Sequence, residues 1–269
     1  MATVAVVGSI ITDLAVLTPR LPARGENLLA RSLRIGPGGK GANAAVAVIL
    51  VEEGGENTIL VVNGANDHLS PDHVLHALAP HWGQLDALLV DFEIPPATVQ
   101  AAVEAGRAHR VPVVVDAGPP RPYGPEIWGA ATVLSPNRLE AATLVGRPLR
   151  TDAEVRAAAR ELLSQGPQAV VVKLGAAGAL LVTQDLELAV PGFAVATVDT
   201  TGAGDAFMGA LVVGLAEGMS VRDAVRWANA AGAIATTRVG TLPVMPRREE
   251  VLELLNSHRS QQGLDPRTS

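Results

Sequence analysis

The stretch Asp199-Thr-Thr-Gly-Ala-Gly-Asp205-Ala-Phe207 follows a β-rich segment and opens an apolar helix. In its run Gly202-Ala203-Gly204 only the alanine carries a Cβ, so a ligand can approach the backbone closely. The helix that follows directs unpaired N–H groups and the positive end of its dipole at that ligand. A glycine-rich turn at a helix N-terminus can therefore bind phosphate. A carboxylate at Asp205 would compete with phosphate unless it has its own task, and accepting a proton is one such task.

An ordinary helix start is the alternative interpretation, in which Asp199 or Thr200 caps the helix and the glycines make a tight turn. A second glycine-rich stretch, Gly36-Pro-Gly-Gly-Lys-Gly-Ala-Asn43, makes that alternative weaker. It too precedes an apolar run, which begins at Ala44. Two such corners in one chain indicate a ligand with two moieties, or two ligands.

With these motifs the chain resembles the ribokinase-like carbohydrate kinases, also called the pfkB family. The resemblance rests on Gly38-Gly-Lys-Gly-Ala-Asn43 and on Asp199-Thr-Thr-Gly-Ala-Gly-Asp205. Between them, Asn137-Arg-Leu-Glu140 is similar to the family's Asn-x-x-Glu element, and Lys173-Leu-Gly175-Ala-Ala-Gly178 to its nucleotide-side glycine turn. Similar segments run in order from about Val4 to Pro246.

The resemblance implies transfer of the γ-phosphate of ATP to a primary hydroxyl of a sugar, with ribose as the first candidate. Asp205 would then be the base, and the N–H groups of Ala203, Gly204 and Asp205 would face the charge on the transferring phosphoryl group. Two alternatives stay open. The acceptor could be a nucleoside or another sugar, or the chain could bind sugar or nucleotide with impaired catalysis.

The implied site residues fall into four sets. The catalytic set is Gly202, Ala203, Gly204 and Asp205. The sugar set is Asp13, Gly38, Gly39, Lys40, Asn43, Glu93 and again Asp205. The nucleotide set is Asn137, Lys173, Gly175, Gly178, Gly202, Gly204 and Asn229. The metal set has Asn137 and Glu140 ordering Mg²⁺ through its waters, and Asp199, Thr201, Ala235, Arg238 and Gly240 around a monovalent cation, potassium.

Several of these residues also have a simpler interpretation. Asn137 and Glu140 have the spacing of a helix cap and its third residue. Asp13 could be an ordinary strand-end residue, Glu93 a turn residue and Asn229 a solvated helix residue. Lys173 differs, because it ends an apolar strand, where an isolated charge is uncommon without a partner. The family leads us to expect an uncharged residue at that position.

The chain departs from the family at two places. Two positions before Asp13 the family leads us to expect an asparagine that helps to hold sugar hydroxyls, and this chain has Ile11. After Asn43 the expected helix has only a few residues before Val48–Val62, which is similar to a later lid hairpin. A strand–helix–strand unit takes about 30 residues or more. We therefore expect an internal deletion that removes a central strand, its covering helix and part of the lid.

Composition fits this interpretation. The 269 residues suit one large α/β unit, and a hydrophobic fraction of 48% with only 3% aromatic residues predicts a core of Ala, Val and Leu, as in parallel sheets. A net charge of −6 argues against a nucleic-acid partner. The absence of cysteine excludes disulfides and thiolate chemistry. Neither a signal peptide nor a membrane span is predicted, so we expect a cytoplasmic protein without a membrane partner.

Short apolar runs alternate with helical patterns along the chain, which predicts a doubly wound, mostly parallel sheet flanked by helices. The predicted buried strands are Thr3–Val7, Ala87–Val90, Val111–Val115, Thr132–Leu134 and Ala169–Lys173. The predicted helices are Pro71–Leu78, Pro96–His109, Asp152–Ser164, Gly204–Glu217, Val221–Thr236 and Arg247–Asn256. The motifs follow strands, and ligands of such sheets bind beyond the carboxyl ends of the strands.

Alternating apolar and polar residues predict a small β lid from residues 13–35 and 46–63, with a hairpin turn at Glu53-Gly-Gly-Glu56. The resemblance implies that the lid covers the sugar and forms a homodimer. We assign residues 1–256, lid included, to one α/β domain and residues 257–269 to a polar C-terminal tail.

Overall fold

The structure, a computed structural model, describes residues 2–20, 28–40, 45–52, 57–62, 64–240 and 245–261. Eleven strands in this part form two sheets. The larger sheet contains, in spatial order, β1 (Val4–Val7), β6 (Ala87–Asp91), β7 (Val113–Asp116), β8 (Val133–Ser135), β9 (Ala169–Lys173), β10 (Ala179–Thr183) and β11 (Glu187–Val190). The smaller sheet contains, also in spatial order, β3 (Ser32–Gly38), β2 (Ile11–Thr18), β4 (Ala45–Glu52) and β5 (Asn57–Val62).

The larger sheet is parallel from β1 through β6, β7 and β8 to β9, and antiparallel at β10 and β11. Successive side chains of a strand point to opposite faces. On β6, Leu88 and Val90 therefore join one hydrophobic core, and Ala87 and Leu89 join another on the opposite face. This two-faced burial explains the continuous apolar runs of the sequence. The predicted fold class, a mostly parallel doubly wound sheet with a small lid, is confirmed.

Helices cover both faces of the larger sheet. The helices are α1 (Pro71–Leu78), α2 (Pro96–Ala108), α3 (Pro125–Trp128), α4 (Arg138–Leu144), α5 (Asp152–Leu163), α6 (Ala203–Ala216), α7 (Val221–Ala235) and α8 (Arg248–Gln261). Helices α2 and α5 pack on one face, while α6 and α7 pack on the other and α8 packs on α7. None of the helices in the described ranges combines the length and apolar character needed to span a bilayer.

The predicted helix starts are borne out by their caps. Thr151 and Glu154 form a capping box, since each side chain bonds the backbone of the other. The Ser70 hydroxyl accepts from the N–H of His73, one residue before the helix-initial Pro71. At the C-terminus, α8 continues to Gln261, which places a helix within the segment predicted as a tail from residue 257.

Strand β1 differs from the prediction of a fully buried strand. It lies at the edge of the larger sheet within the described residues, and it pairs with β6 alone. Val6 is accordingly 48% exposed, whereas β6 is buried at every position. The physical reason is the missing neighbour, because an edge strand has one unpaired side and less cover. The sheet itself is continuous from β1 to β11.

The small sheet also corrects one expectation. The short helix expected after Asn43 is not formed, because Ala45–Glu52 is the strand β4, parallel to β2 and antiparallel to β5. The next described residues after the second glycine-rich stretch therefore form a strand instead of the expected helix. On β2, Ile11 pairs with Gly38 and Asp13 with Gly36. Asn43 and the predicted turn at 53–56 lie outside the described residues. The division into one domain with a lid stays a prediction.

The turn between β9 and β10 depends on two glycines with different surroundings. Gly178 has φ 94° and ψ −126°, a region that essentially only glycine occupies. A Cβ there would lie 2.2 Å from the carbonyl oxygen of Val190 and 2.4 Å from the amide nitrogen of Gly192. Gly175 also has a positive φ of 60°, but nothing lies within 4 Å of the place that a Cβ would occupy. The close backbone approach at Gly178 attaches β11 to the turn.

We expect Gly178→Ala to destabilise the fold much more than Gly175→Ala does. The Gly175 variant adds a left-handed alanine, at about 1–2 kcal/mol. The Gly178 variant adds a forbidden conformation and a backbone clash, at about 3 kcal/mol or more. Urea unfolding of the two variants measures the difference, and equal losses would show that the contact with Val190 and Gly192 is unimportant.

Candidate active site

Charged residues end three strands of the larger sheet. Asp91 ends β6, Asp116 ends β7 and Lys173 ends β9. Because carboxyl ends of parallel strands meet at one edge, these side chains lie on the same side of the sheet. Both aspartates are buried, and the lysine side chain is 12% exposed. Buried charges require partners, and these partners define the site.

Five side chains of alternating charge form a continuous chain at this edge. Lys40 Nζ lies 3.5 Å from Asp205 Oδ1 and 2.7 Å from Asp116 Oδ2. The other oxygen of Asp116, Oδ1, accepts a hydrogen bond of 2.6 Å from Lys173 Nζ. That nitrogen also lies 3.7 Å from Glu140 Oε2. This row of charged side chains connects the predicted base, Asp205, to Glu140 of the Asn-x-x-Glu element through two lysines and one shared carboxylate.

These ion pairs shift the pKa values of Lys40 and Asp116. Burial alone would lower the pKa of Lys40, but the negative charges of Asp116 and Asp205 outweigh it and hold that pKa well above its usual value. Burial would likewise raise the pKa of Asp116, but Lys173 and Lys40 outweigh it and lower that pKa. Lys40 and Asp116 are therefore both charged at neutral pH.

A second group of acidic side chains lies at the end of β6. Glu93 accepts hydrogen bonds from the Ser9 hydroxyl and, at 3.2 Å, from the Lys40 amide. Asp91 accepts from the amides of Ser9 at 3.2 Å and Glu93 at 2.9 Å. Burial and the nearby Glu93 charge raise the pKa of Asp91 well above its usual value. Burial also raises the pKa of Glu93, although Ser9 and Lys40 oppose that change.

The N-terminus of α6 brings the predicted catalytic set to this site. Gly202 caps the helix with φ 76°, a left-handed conformation that favours glycine. The amide of Ala203 donates to the carbonyl of Thr200 at 3.3 Å, so it does not face a ligand as predicted. The amides of Gly204 and Asp205 donate to no acceptor in the part of the chain that the structure describes. Open space surrounds Gly204, which leaves room for an anion there.

The Asn-x-x-Glu element has the helix-start geometry that its spacing predicts. The Asn137 side chain accepts from the Glu140 amide at 2.9 Å, and Glu140 Oε2 accepts from the Asn137 amide at 2.6 Å. The second carboxylate oxygen, Oε1, faces Gly118, where a Cβ would lie 2.7 Å away. No cluster of three or more metal-binding acidic or histidine side chains occurs among the described residues. Glu140 Oε1 can accept a hydrogen bond from a water of Mg²⁺, and the role of Asn137 and Glu140 in ordering such waters stays a prediction.

Asp199 ties together the two loops predicted to hold a monovalent cation. Its oxygens accept from the amides of Thr201 at 2.9 Å and Gly240 at 3.1 Å, while its own amide donates to Thr236. The Arg238 side chain pairs with Glu250 on α8 and is not directed to these loops. Ala235 is the last residue of α7. Backbone carbonyls remain the ligands that this arrangement could offer to potassium.

Asn229, predicted to reach the nucleotide base, has a structural partner. It is buried on α7, which excludes the solvated alternative. Its amide nitrogen donates to the carbonyls of Val190 at 3.0 Å and Pro191 at 3.1 Å. Asn229 and Gly178 thus both attach the end of β11. A contact with adenine stays a prediction.

Sequence reasoning missed three residues of this site. They are Asp116, Asp91 and Gly118. Gly118 provides space, because a Cβ there would lie 2.9 Å from Lys40 Cε and 3.1 Å from Lys40 Nζ. A usable signal existed for Asp116: Lys173 ends an apolar strand and needed a partner, and a neighbouring apolar run, Val113-Val-Val-Asp116, ends in the opposite charge. Asp91 likewise is a negative charge at the end of an apolar run, Ala87-Leu-Leu-Val90.

A cleft of about 290 Å³ adjoins Asp205. One side is formed by α6, including Ala206 and Val213, and the other by Trp227 of α7 and by Pro246 and neighbouring residues.

The comparisons with known proteins agree with this geometry. The sequence model described as pfkB family carbohydrate kinase matches residues 44–248. Ribokinase of Bacillus subtilis (strain 168) is 32% identical over 305 residues, with 95% of this chain and 100% of that protein covered. Deoxyribokinase of Salmonella typhi is 31% identical over 302 residues, with coverage of 94% and 98%.

Solved structures are similar as well. A ribokinase from Thermotoga maritima has a TM-score of 0.81 and 29% identity, covering 95% of this chain and 100% of that one. Arabidopsis thaliana ribokinase complexed with ribose and ATP has a TM-score of 0.81 and 28% identity, covering 95% and 99%.

The chain belongs to the pfkB family of carbohydrate kinases. It is therefore a phosphotransferase with an alcohol group as acceptor, built on the ribokinase fold. The alignment of 305 positions with the whole Bacillus subtilis ribokinase exceeds the 269 residues of this chain, which is consistent with the predicted deletion. The unpaired side of β1 is where a further strand would lie.

We expect Glu93→Gln to gain stability relative to the unchanged protein as pH rises. The folded-state pKa of Glu93 is raised, so its ionisation destabilises the fold once pH rises through that value. The glutamine variant has no such loss. The difference in unfolding free energy, measured by urea titration from about pH 4, near the ordinary pKa of a glutamate, to neutral pH, should shift in favour of the variant. A difference that is constant with pH would contradict this.

Proposed function

We propose that this protein transfers the γ-phosphate of ATP to the primary hydroxyl of ribose, giving ribose 5-phosphate. The observation that carries the proposal is the position of Asp205 in the first turn of α6, beside unpaired helix amides and 3.5 Å from Lys40. A carboxylate here can accept the hydroxyl proton while the amides and lysines stabilise the phosphoryl charge. The oxygen of the acceptor then forms the new P–O bond as the bond to ADP breaks.

The remaining predicted residues serve binding in this proposal. Glu93 and the lid residue Asp13 hold the sugar, since carboxylates pair well with hydroxyls. Lys40, predicted in the sugar set, lies 3.5 Å from Asp205 and can contact both the acceptor hydroxyl and the phosphoryl group. Lys173 and Gly175 contact the nucleotide. Mg²⁺ would supply positive charge to the phosphates, and Glu140 would order its waters. Potassium would lie between the loops that Asp199 joins, and a homodimer would form through the lid.

A second acceptor, 2-deoxyribose, is favoured by one observation. Ile11 stands where the family leads us to expect a hydroxyl-binding asparagine, and its backbone pairs with the proposed sugar residue Gly38. An apolar residue loses less with an acceptor that lacks a hydroxyl. The deoxyribokinase similarity of 31% is nearly the ribokinase similarity of 32%. A nucleoside acceptor and a binding-only protein remain the other outcomes.

Asp205→Asn should lower kcat by about 10²–10⁴-fold, since asparagine cannot accept the proton. Affinity for a non-hydrolysable ATP analogue should change little. Asp223→Asn is the matched control, because Asp223 is also an aspartate in the first turn of a helix, capped by Ser220 and outside the site. An Asp205→Asn enzyme with near-normal turnover would remove Asp205 from the mechanism.

An ATP-consumption screen over ribose, 2-deoxyribose, fructose and nucleosides, with and without potassium, identifies the acceptor. We expect the highest kcat/KM with ribose and stimulation by potassium. Preference for 2-deoxyribose would support the second acceptor. Calorimetric binding of sugar or nucleotide without any turnover would instead show a binding protein.

A further inference from the structure

We propose that Asp116 is a positioning residue for the transfer reaction: its carboxylate holds the ammonium groups of Lys40 and Lys173 as a pair facing the transferring phosphoryl group. The proposal rests on the proposed function. Asp116 would touch neither substrate, and would act through the two lysines.

Geometry makes Asp116 the common partner. Each of its oxygens binds one lysine nitrogen, Oδ2 at 2.7 Å and Oδ1 at 2.6 Å. Its side chain is 3% exposed, so its position is fixed by β7 and the surrounding core. The ammonium groups of Lys40 and Lys173, each bound to one oxygen of the same carboxylate, would repel each other without that shared negative charge. A buried anion on a rigid strand therefore fixes both the spacing and the direction of the two cations.

The position of Lys40 shows why this matters for the base. Lys40 Nζ lies closer to Asp116 than to Asp205, at 2.7 Å compared with 3.5 Å. Asp116 thus draws the ammonium group away from a tight pair with the base. A tight pair would occupy the carboxylate oxygen that the acceptor hydroxyl needs. Lys40 remains near enough to contact a phosphoryl oxygen that enters beside Asp205.

Lys173 depends on the same carboxylate. Its nitrogen is bound by Asp116 and lies 3.7 Å from Glu140, at the end of β9 where the nucleotide-side turn begins. Lysine side chains have many rotamers, and anchoring removes that freedom before the ligand arrives. Two pre-placed cations on opposite sides of one anion suit a phosphoryl group, which carries several charged oxygens.

A mutant cycle on Asp116 and Lys173 tests the proposal. Asp116→Asn should lower kcat by about 10²-fold, comparable with the loss of one pre-organised donor. Lys173→Met should mainly raise KM for ATP. Asp116→Asn should also lower thermal stability, because it leaves two buried lysines without their shared counter-charge. In Asp116→Asn/Lys173→Met one buried positive charge is removed as well, so thermal stability should recover toward that of the unchanged protein. The value of kcat should stay low, because the Lys40 side chain still has no carboxylate at position 116 to hold it. Recovery of kcat together with stability would overturn the proposal and leave Asp116 a merely structural partner.

Gly118→Ala provides a test that changes no charge. The added methyl would contact the end of the Lys40 side chain and Glu140 Oε1, which can move without unfolding the protein. We expect kcat to fall about 10-fold or more with an unchanged melting temperature. Gly83→Ala is the control, since nothing lies within 4 Å of its Cβ position. Equal kcat values for the two variants would overturn the positioning role.

The proposed function and this inference fail in different ways. Absence of turnover in the unchanged protein with every acceptor would remove the proposed function. The cycle can then be measured as affinity for a non-hydrolysable ATP analogue. We expect Asp116→Asn to weaken binding in the presence of Lys173 and to have no further effect in the Lys173→Met background. Additive losses would contradict a role exerted through Lys173.

Discussion

The carboxylate of Asp116 is the shared partner of both lysines of the site, and its location follows from the sheet. Asp116 ends β7 and Lys173 ends β9, with β8 between them. Two strand spacings amount to about 9–10 Å, a gap that a lysine and an aspartate side chain can close together when they meet through a hydrogen bond. The intervening strand ends in Ser135, whose hydroxyl turns away to the carbonyl of Val171. A long cation at one strand end can therefore meet a short anion two strands away.

Local signals were enough to predict most of the fold. Short apolar runs predicted the strands β6 to β9, and helical patterns placed the start of α5 at Asp152, where Thr151 and Glu154 form a capping box. The antiparallel strands β10 and β11 were not predicted, although Ala179-Leu-Leu-Val182 is a short apolar run like those of β6 to β9. Their pairing and the close approach of Gly178 to Val190 and Gly192 are visible only in the structure.

The site was predictable where a motif is contiguous and less so where partners are distant. Asp205 and Lys40 belong to glycine-rich motifs that are visible in the sequence. Asp116 lies 76 residues from Lys40 and 57 from Lys173, so only folding shows that they share a partner. The exposed side of β1 is a similar case: its sequence suits a central strand, but among the described strands it has only β6 as a neighbour.

The site has a lysine end, formed by Lys40, Asp116 and Lys173, and an acidic end, formed by Asp91 and Glu93. The two ends differ in how far their charges are paired with opposite charges. Asp116 meets two ammonium groups, and its pKa is lowered, whereas Asp91 and Glu93 lie close together and their pKa values are raised. The uncompensated end thus has an excess of hydrogen-bond acceptors over donors. A ligand that binds there gains most if it brings several O–H donors, because each relieves part of the cost of the buried carboxylates. In the proposed reaction a polyhydroxylated acceptor would fit this end, and a phosphate, itself an anion, would fit the lysine end. The order of charges along the sheet edge therefore supports the proposed placement of the two substrates on either side of Asp205.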